Sequence, residues 1–389
     1  MTKRVLITGV GGVGVHAAHL LSMLEGIDLY LGDIRQSRMV AKANCLLDCS
    51  FFAGGGRRFP KVHPVTMDLM DVAKTQSQLE EIQPDVVLQL SALLSAQRIR
   101  SSVPASVVNK IYNANPVGTG LRPWAPASGV LLTNLMQAIK ASGIQTHVVN
   151  AAGCDFQHVI LSKVGMAPTC GLGDFGLLEP AILRAISDVT GRDTTSMQVY
   201  LAGHHSIVMP LMFEGITLDI PYYIRIEQSG QDITQDIDIE NNIFPILPRY
   251  NSWPADALPS DQEQTAAHAV KIVRAILLDT DELMNLPGPE GLPGCYPVRV
   301  NADGVRVFCP PGVSKEELVR INEAGSYAEG FAEIKDDGTV VATDKTIELV
   351  EQEFGISWKY KEYAPHQVLE AFNEINDAFV NLTQKYAKR

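Results

Sequence analysis

Two adjacent histidines, His204 and His205, follow an apolar run at residues 199–202. An imidazole titrates near neutral pH, so it can give a proton to an oxygen atom or take one from it. A neighbouring carboxylate would fix the tautomer and stabilise the imidazolium. The pair therefore predicts acid–base chemistry at a carbonyl or hydroxyl group, unless both rings only bond to backbone carbonyls at a strand end.

A glycine cluster lies between the first apolar run, residues 5–8, and a helical pattern. In such a turn Gly9 permits the bend, Gly11 lets the backbone approach a pyrophosphate, and Gly14 lets the helix pack on the strand. The unpaired N–H groups of the helix N-terminus then face the phosphates. The pattern predicts a dinucleotide site with contacts from Gly9, Gly11, Gly12, Val13 and Gly14.

A second strand pattern, residues 28–32, ends at Asp33. This is the distance from the glycines at which a carboxylate binds the ribose 2′-hydroxyl and repels a 2′-phosphate. The cofactor expected is NAD, with Ile34 and Arg35 also in contact. Because Arg35 and Arg38 could pair with a phosphate, NADP stays open as the alternative.

A third buried-strand pattern ends at Leu90, Ser91 and Ala92, where the carboxyl edge of a parallel sheet meets the cofactor. The following stretch, residues 95–128, has no clear periodicity and is predicted to be a functional loop that acts as a lid. Its arginines, Arg98, Arg100 and Arg122, are individually expected to be solvated charges.

Further along, a strand pattern ends at Asn150, a Gly-x-Gly turn occupies residues 171–173, and Gly203-His204-His205 precedes Pro210. Over residues 4–210 this series resembles the lactate/malate dehydrogenase superfamily. The resemblance implies that Asn150 contacts substrate and nicotinamide, although Ala151 replaces the family's proline. It implies that Glu179 orients the catalytic histidine, and it leaves open whether that histidine is His204 or His205.

One position departs from the family pattern. Ile182 stands where the family has the arginine that binds a substrate carboxylate through a bidentate fork, and isoleucine cannot do this. The substrate is therefore not expected to be a simple 2-oxo acid. Arg122, near the family's mobile-loop arginine, is hypothesised to polarise the carbonyl or to hold an acidic group.

The chain of 389 residues predicts two units of an α/β protein. Residues 1–150 are expected to form a dinucleotide-binding Rossmann domain with a doubly wound parallel sheet. Residues 151–389 are expected to form an α+β catalytic domain with antiparallel strands. Turn signals predict hairpins at Asp303-Gly304 and Asp337-Gly338, and helical patterns cover residues 264–278 and 366–386. The first of these helices offers Thr265 and His268 as pocket candidates.

Composition excludes several function classes. A net charge of −12 without a basic run argues against nucleic acid as a partner, and no apolar run is long enough for a membrane span. The N-terminus lacks a signal-peptide pattern, so a cytoplasmic protein is expected. Six scattered cysteines form no CxxC pair, no metal is expected, and Cys45 and Cys49 are interpreted as packing residues. The family resemblance implies a homo-oligomer, a dimer or a tetramer.

The predicted function is hydride transfer between NAD and a small hydroxy or oxo compound. One alternative is an extended short-chain dehydrogenase or epimerase, but no tyrosine is followed by lysine at the required spacing. Another is an NAD-binding sensor without turnover. A redox-cycling glycosidase with the same fold is the third, although Cys170 precedes glycine and not the histidine that its metal would require.

Overall fold

The computed structural model describes residues 2–54, 59–113, 118–250 and 261–387. Its largest sheet has six parallel strands in the order β3-β2-β1-β4-β5-β6. The strands are β1 Lys3–Thr8, β2 Ile27–Asp33, β3 Lys61–Thr66, β4 Val86–Gln89, β5 His147–Asn150 and β6 Cys170–Gly171. This is the doubly wound order of dinucleotide-binding sheets, so the predicted Rossmann fold is confirmed. The predicted domain division at residue 150 stays a prediction, and β6 lies beyond it.

Helices connect these strands across both faces of the sheet. They are α1 Gly12–Ser22, α2 Gln36–Ala53, α3 Val72–Ile82, α4 Ala96–Ser102, α5 Ala105–Ile111, α6 Ala125–Ser142 and α7 Cys154–Lys163. Alternate strand residues enter different cores: Leu6 packs with α3 and α6, whereas Val5 and Ile7 pack with α1 and α2. Both faces of the sheet are therefore buried, as a parallel sheet requires.

Three small antiparallel sheets follow in the rest of the chain, as predicted. Their strands are β7 Met197–Ala202, β8 Tyr223–Gln228, β9 Gln231–Asp232, β10 Glu282–Pro287, β11 Cys295–Asn301, β12 Gly304–Val307, β13 Phe331–Ile334, β14 Val340–Ala342 and β15 Glu362–Tyr363. The helices are α8 Glu179–Thr190, α9 Val208–Glu214, α10 Asp261–Leu278, α11 Lys315–Ala328, α12 Asp344–Phe354 and α13 Val368–Ala387. Both predicted hairpins are confirmed, β11–β12 and β13–β14.

Residues 95–128, predicted to be an irregular loop, are largely helical, so the prediction of a loop is wrong, while the role as a lid stays a prediction. It contains α4 and α5, and α6 already begins at Ala125. The hydroxyl of Ser95 caps α4 by accepting the N–H of Arg98 at 3.2 Å. Helices of seven residues span about two turns, which is too short for an apolar period to be recognised.

The C-terminal region returns to the parallel sheet. Helix α13 packs against α6, and residues of β13, β14, α12 and α13 share one core with the α3 and α6 face of the sheet. The Trp124 ring lies at 5.8 Å from Phe354 and 5.3 Å from Phe379, measured between centroids. The last third of the chain therefore stabilises the first. No helix in the described ranges is both long and apolar enough to cross a membrane.

Candidate active site at the carboxyl edge of the parallel sheet

The glycine turn between β1 and α1 has the backbone that a dinucleotide needs. Gly9 has a φ of 87°, which favours glycine, and a Cβ there would lie 2.8 Å from Ser91. A Cβ on Gly14 would clash with the carbonyl oxygen of Gly9, so α1 packs directly on the turn. At Gly11 a Cβ would meet nothing within 4 Å, which leaves space in front of the turn.

The first turn of α1 also contacts α10. Gly12 and Val13 open the helix, and a Cβ on Gly12 would collide with the Gln262 side chain. One residue further along α10, Glu263 lies 3.5 Å from Nε2 of His16. The amide of Gln262 is thus a polar group at the predicted phosphate position, which sequence patterns did not identify.

Asp33 ends β2 at the same edge of the sheet. Its Oδ1 accepts the backbone N–H of Arg35 at 3.2 Å, and its side chain is half-buried. Ile34 is 63% exposed, unusual for an isoleucine, while Arg35 is exposed. An exposed apolar side chain beside a carboxylate is the surface that an adenosine needs.

Leu90, Ser91 and Ala92 follow β4 and are half-buried. The buried Gln89 holds this turn: its Oε1 accepts from the hydroxyls of Thr8 at 2.6 Å and Ser91 at 2.9 Å, and its Nε2 donates to the Ser91 carbonyl at 2.9 Å. The carboxyl ends of β1 and β4 are thereby connected through side chains.

His205 forms an ion pair with Glu329. Its Nδ1 lies 2.9 Å from Oε1 of Glu329, and the carboxylate is only 1% exposed while the imidazole is 21% exposed. The second carboxylate oxygen accepts the N–H of Leu121 at 2.8 Å, and Oδ1 of Asp155 accepts the N–H of His205 at 3.3 Å. A buried carboxylate thus holds a histidine that solvent and ligands can reach.

Burial by itself lowers the pKa of His205. The hydrogen bond to Glu329 and the negative charges of Glu329 and Asp155 outweigh that effect, so the pKa is raised overall. The surroundings of His205 therefore favour its imidazolium form more than water does.

The prediction that Glu179 orients the histidine is wrong. Its Oε2 accepts from Nδ2 of Asn285 at 2.9 Å, and burial raises its pKa. Asn285 in turn accepts the N–H of Leu201 at 2.8 Å and donates to Val199. Glu179 therefore supports strand β7, because a buried carboxyl needs a partner and Asn285 is nearer than either histidine ring.

The structure also separates the two histidines. Nδ1 of His204 accepts the N–H of Ser206 at 3.4 Å, which caps the short 3₁₀ helix His205–Ile207. Its ring is fully buried, packs on Gly325 of α11, and its Nε2 has no hydrogen-bond partner among the described residues. Burial lowers its pKa. His205, partly exposed and paired with Glu329, is the better acid–base candidate.

Asn150 does not present its amide to a ligand. It is fully buried at the end of β5, its Nδ2 donates to Ala152 at 2.9 Å and bonds to Nε2 of His158 at 3.2 Å, and its Oδ1 accepts the N–H of Ala152 at 3.1 Å. His158 donates through Nδ1 to Gly288 at 2.9 Å, and burial lowers its pKa to about 4. Asn150 thus shapes the turn after β5, and its contact with substrate stays a prediction.

Arg122 does not lie in the exposed position expected for a residue that binds substrate. Its guanidinium is fully buried and donates to the carbonyls of Val340, Tyr360 and Lys361 at 3.2, 3.3 and 2.8 Å. It lies 5.2 Å above the Trp358 ring and 4.9 Å above that of Tyr363, and burial lowers its pKa to about 10. Arg122 therefore anchors the C-terminal region, and no part of its side chain is exposed to a ligand.

Three further side chains around His205 were not singled out as site residues. Asp155 is 2% exposed, and Asp174, with a φ of 54°, follows the Gly-x-Gly turn. Burial, then the charge and hydrogen bond of Asp155, raise the pKa of Asp174 well above its usual range. Arg100 of α4 lies 5.2 Å above the Tyr112 ring, and its charge lowers the pKa of His205.

The signal for the two aspartates was available, since each follows a strand end of the parallel sheet. His268, a pocket candidate from the sequence, lies next to Asp174: its Nδ1 accepts the N–H of Gly173 at 3.1 Å. Burial lowers the pKa of His268 to about 4. Ile182 is fully buried in an apolar core, so that position offers no charge to a ligand.

Comparisons with known proteins agree on the fold. A malate dehydrogenase of Thermomicrobium roseum is 24% identical over 341 residues, which cover 84% of this chain and 96% of that protein. The solved lactate dehydrogenase of Eimeria maxima has a TM-score of 0.59 at 15% identity, covering 84% of this chain and 92% of that one. For the malate dehydrogenase of Cryptosporidium parvum the TM-score is 0.56 at 16% identity, with 85% and 98% covered.

No model of a known protein family matches the sequence. The similarity to these three dehydrogenases nevertheless extends over nearly their whole length. The chain therefore has the fold of the lactate and malate dehydrogenases, and its sequence is distantly similar to that of a malate dehydrogenase.

Proposed function

We propose that the protein is an NAD-dependent dehydrogenase or reductase acting on a CH–OH or C=O group, with His205 as its acid–base residue and Glu329 as the partner of that histidine. The observation that carries the proposal is the 2.9 Å pair between a reachable imidazole and a buried carboxylate. A structural histidine would be expected to be enclosed as His204 is, with its ring removed from solvent.

The residues of the first unit fit the cofactor. Gly11 leaves space for a pyrophosphate, and Asp33 offers a carboxylate to a ribose hydroxyl. Two similar proteins, the lactate dehydrogenase of Eimeria maxima and the malate dehydrogenase of Archaeoglobus fulgidus, were solved with NADH. When bound, the nicotinamide supplies or accepts the hydride.

His205 donates or accepts the proton that accompanies the hydride. Because Nδ1 bonds to Glu329, Nε2 is left for the substrate oxygen. In the direction of reduction Nε2 donates its proton to the carbonyl oxygen, and in the direction of oxidation it removes the hydroxyl proton. Glu329 stabilises the imidazolium and fixes the ring, and Asp155 holds the backbone of His205.

The charges around His205 favour a substrate whose reacting end is uncharged. Two carboxylates act on this histidine, Asp155 and Glu329, and a carboxylate next to the reacting carbon would approach them at a cost. Ile182 supplies no counter-charge. Arg100 is the cation that acts on His205, so we assign it to the more distant polar groups of the substrate.

The test is NADH oxidation by the purified protein with three sets of carbonyl compounds: short 2-oxo acids, neutral hydroxyketones and hydroxyaldehydes, and ketones whose carboxylate lies several carbons away. Turnover with the second or third set, but not the first, is expected. Turnover confined to 2-oxo acids would contradict the substrate class and leave the reaction class intact. Binding of NADH without turnover on any set, unchanged by substitution of His205, would favour the sensor alternative.

A further inference from the structure

A second cluster of reactive side chains lies on the outer surface of the parallel sheet's helices. His19 is in the last turn of α1, and Cys45 and Cys49 are one turn apart on α2. One ligand atom from each of the three, a ring nitrogen and two sulfurs, lies within 4.8 Å of the others. Across the described ranges this is the single group of three or more histidine, cysteine or acidic side chains so arranged.

The two cysteines are exposed, contrary to the packing role expected from the sequence. Residues i and i+4 of a helix share one face, so both sulfurs point toward the same point beside α1. Thiolate and imidazole are the ligands that tetrahedral zinc prefers. Around such an ion, ligand atoms stand roughly 3.5–3.8 Å apart for bond lengths of about 2.0–2.3 Å, so side-chain rotation alone can close the gap.

Zinc binds the thiolate form of cysteine, so a bound divalent ion displaces the protons of both thiols to solvent.

The helix ends contribute a further attraction. Helix α1 ends at Ser22 and α2 at Ala53, so His19 and Cys49 each lie within about a turn of a C-terminal end. The partial negative charge at such ends favours a cation. The hydroxyls of Ser22 and Ser50, 2.7 Å apart, already join the two helices beside the cluster.

We propose that His19, Cys45 and Cys49 bind one zinc ion, with water in the fourth coordination position. The ion fastens α1 to α2. Since α1 begins at the predicted phosphate turn, about seven residues or 10 Å from His19, the ion braces the helix on which the cofactor rests without joining the reaction. The proposal does not depend on the proposed dehydrogenase activity.

The experiment is a zinc titration of the full-length, reduced, metal-free protein against a chromophoric chelator. Cobalt(II) then serves as a spectroscopic substitute, because thiolate coordination gives a near-ultraviolet charge-transfer band. We expect one zinc per chain, a thiolate–cobalt band, and a higher Tm with zinc. Cys49→Ser is expected to weaken zinc binding by roughly 100-fold or more, because a thiolate ligand is lost. It is also expected to reduce the intensity of the thiolate–cobalt band. His19→Asn is expected to weaken binding as well.

Two matched controls use side chains outside the cluster. Cys309→Ser removes another exposed thiol, and His16→Asn removes a neighbouring histidine that pairs with Glu263. Both are expected to keep one zinc per chain. Absence of stoichiometric zinc, or zinc binding equal in wild type and Cys49→Ser, would overturn the proposal. Because Cys49 is exposed, its serine variant is expected to fold, and circular dichroism checks this.

Discussion

The glycine turn and the His205–Glu329 pair occupy the same sheet edge but are built in different ways. The turn takes its glycines from six consecutive residues, and two of them have a local backbone reason: Gly9 has a positive φ, and Gly14 packs against the carbonyl oxygen of Gly9. The pair joins side chains 124 positions apart, and only the folded C-terminal region brings Glu329 to the imidazole. A local site can be read from spacing, whereas a site made by tertiary contact needs the fold.

The largest effect that would sharpen this comparison is expected for His205→Asn. Loss of the acid–base group is expected to lower kcat by roughly 10²–10⁴-fold, while the dissociation constant of NADH stays within about twofold of wild type. Steady-state turnover and NADH fluorescence titration measure the two separately. A variant with normal kcat would break the assignment of the chemistry to this pair.

Arg122→Met tests the contacts that hold the C-terminal region against the rest of the protein. Its guanidinium has three carbonyl acceptors and two aromatic rings, so the free energy of unfolding is expected to fall by about 3 kcal/mol. Chemical denaturation measures this. At temperatures where the variant is folded, kcat/KM is expected to stay near wild type; a selective loss of kcat at full stability would restore Arg122 to the substrate site.

Glu329→Gln and Glu179→Gln are a matched pair of carboxylate substitutions. Removing the charge of Glu329 takes away what raises the pKa of His205, so that pKa falls. Carbonyl reduction needs the imidazolium, and the alkaline decline of kcat/KM is therefore expected to begin at lower pH, with a loss of roughly tenfold or more near neutrality.

Glu179→Gln is expected to leave this pH profile in place, because its carboxylate bonds to Asn285. The raised pKa of His205 also affects stability: it stabilises the folded protein at pH values below the unfolded pKa of about 6.5. This stabilisation disappears as the pH rises through the pKa of His205 in the folded protein. An equal pH shift in both variants would mean that the two carboxylates act on His205 alike.

The smallest effects are expected within the glycine turn. Gly11→Ala meets no protein atom, so the Tm is expected to hold, while NADH binding weakens by roughly tenfold because the backbone no longer approaches the cofactor as closely. Gly14→Ala, which clashes with the Gly9 carbonyl, is expected to destabilise the fold by about 1–3 kcal/mol. Similar losses of Tm in both variants would mean that Gly11, too, serves packing.

Sequence patterns were sufficient for the Rossmann sheet, because its strands are continuous apolar runs and its turn is built by neighbouring glycines. They also predicted both hairpins and helix α13. They missed α4 and α5, whose few turns show no period. A resemblance can transfer a position but not its surroundings: Glu179, which the resemblance paired with the histidine, bonds to Asn285, and Glu329 lies beside His205.

The predicted role of Arg122 at the substrate was misleading for a different reason. An arginine in an apparently irregular stretch is expected in solvent, and nothing near it in sequence signals that Trp358 and Tyr363 will enclose it. Asp155 and Asp174 were available in principle, since both follow ends of parallel strands. Their closeness to each other, however, arises from the packing of β5 beside β6.

The return of the C-terminal region to the parallel sheet has a consequence for biosynthesis. A ribosome releases the glycine turn and all six parallel strands while more than half of the chain is still to be made. Glu329 and the carbonyls that receive Arg122 emerge only near the end of synthesis. The glycine turn is thus synthesised long before Glu329, so the His205–Glu329 pair forms only after the C-terminal region has been made.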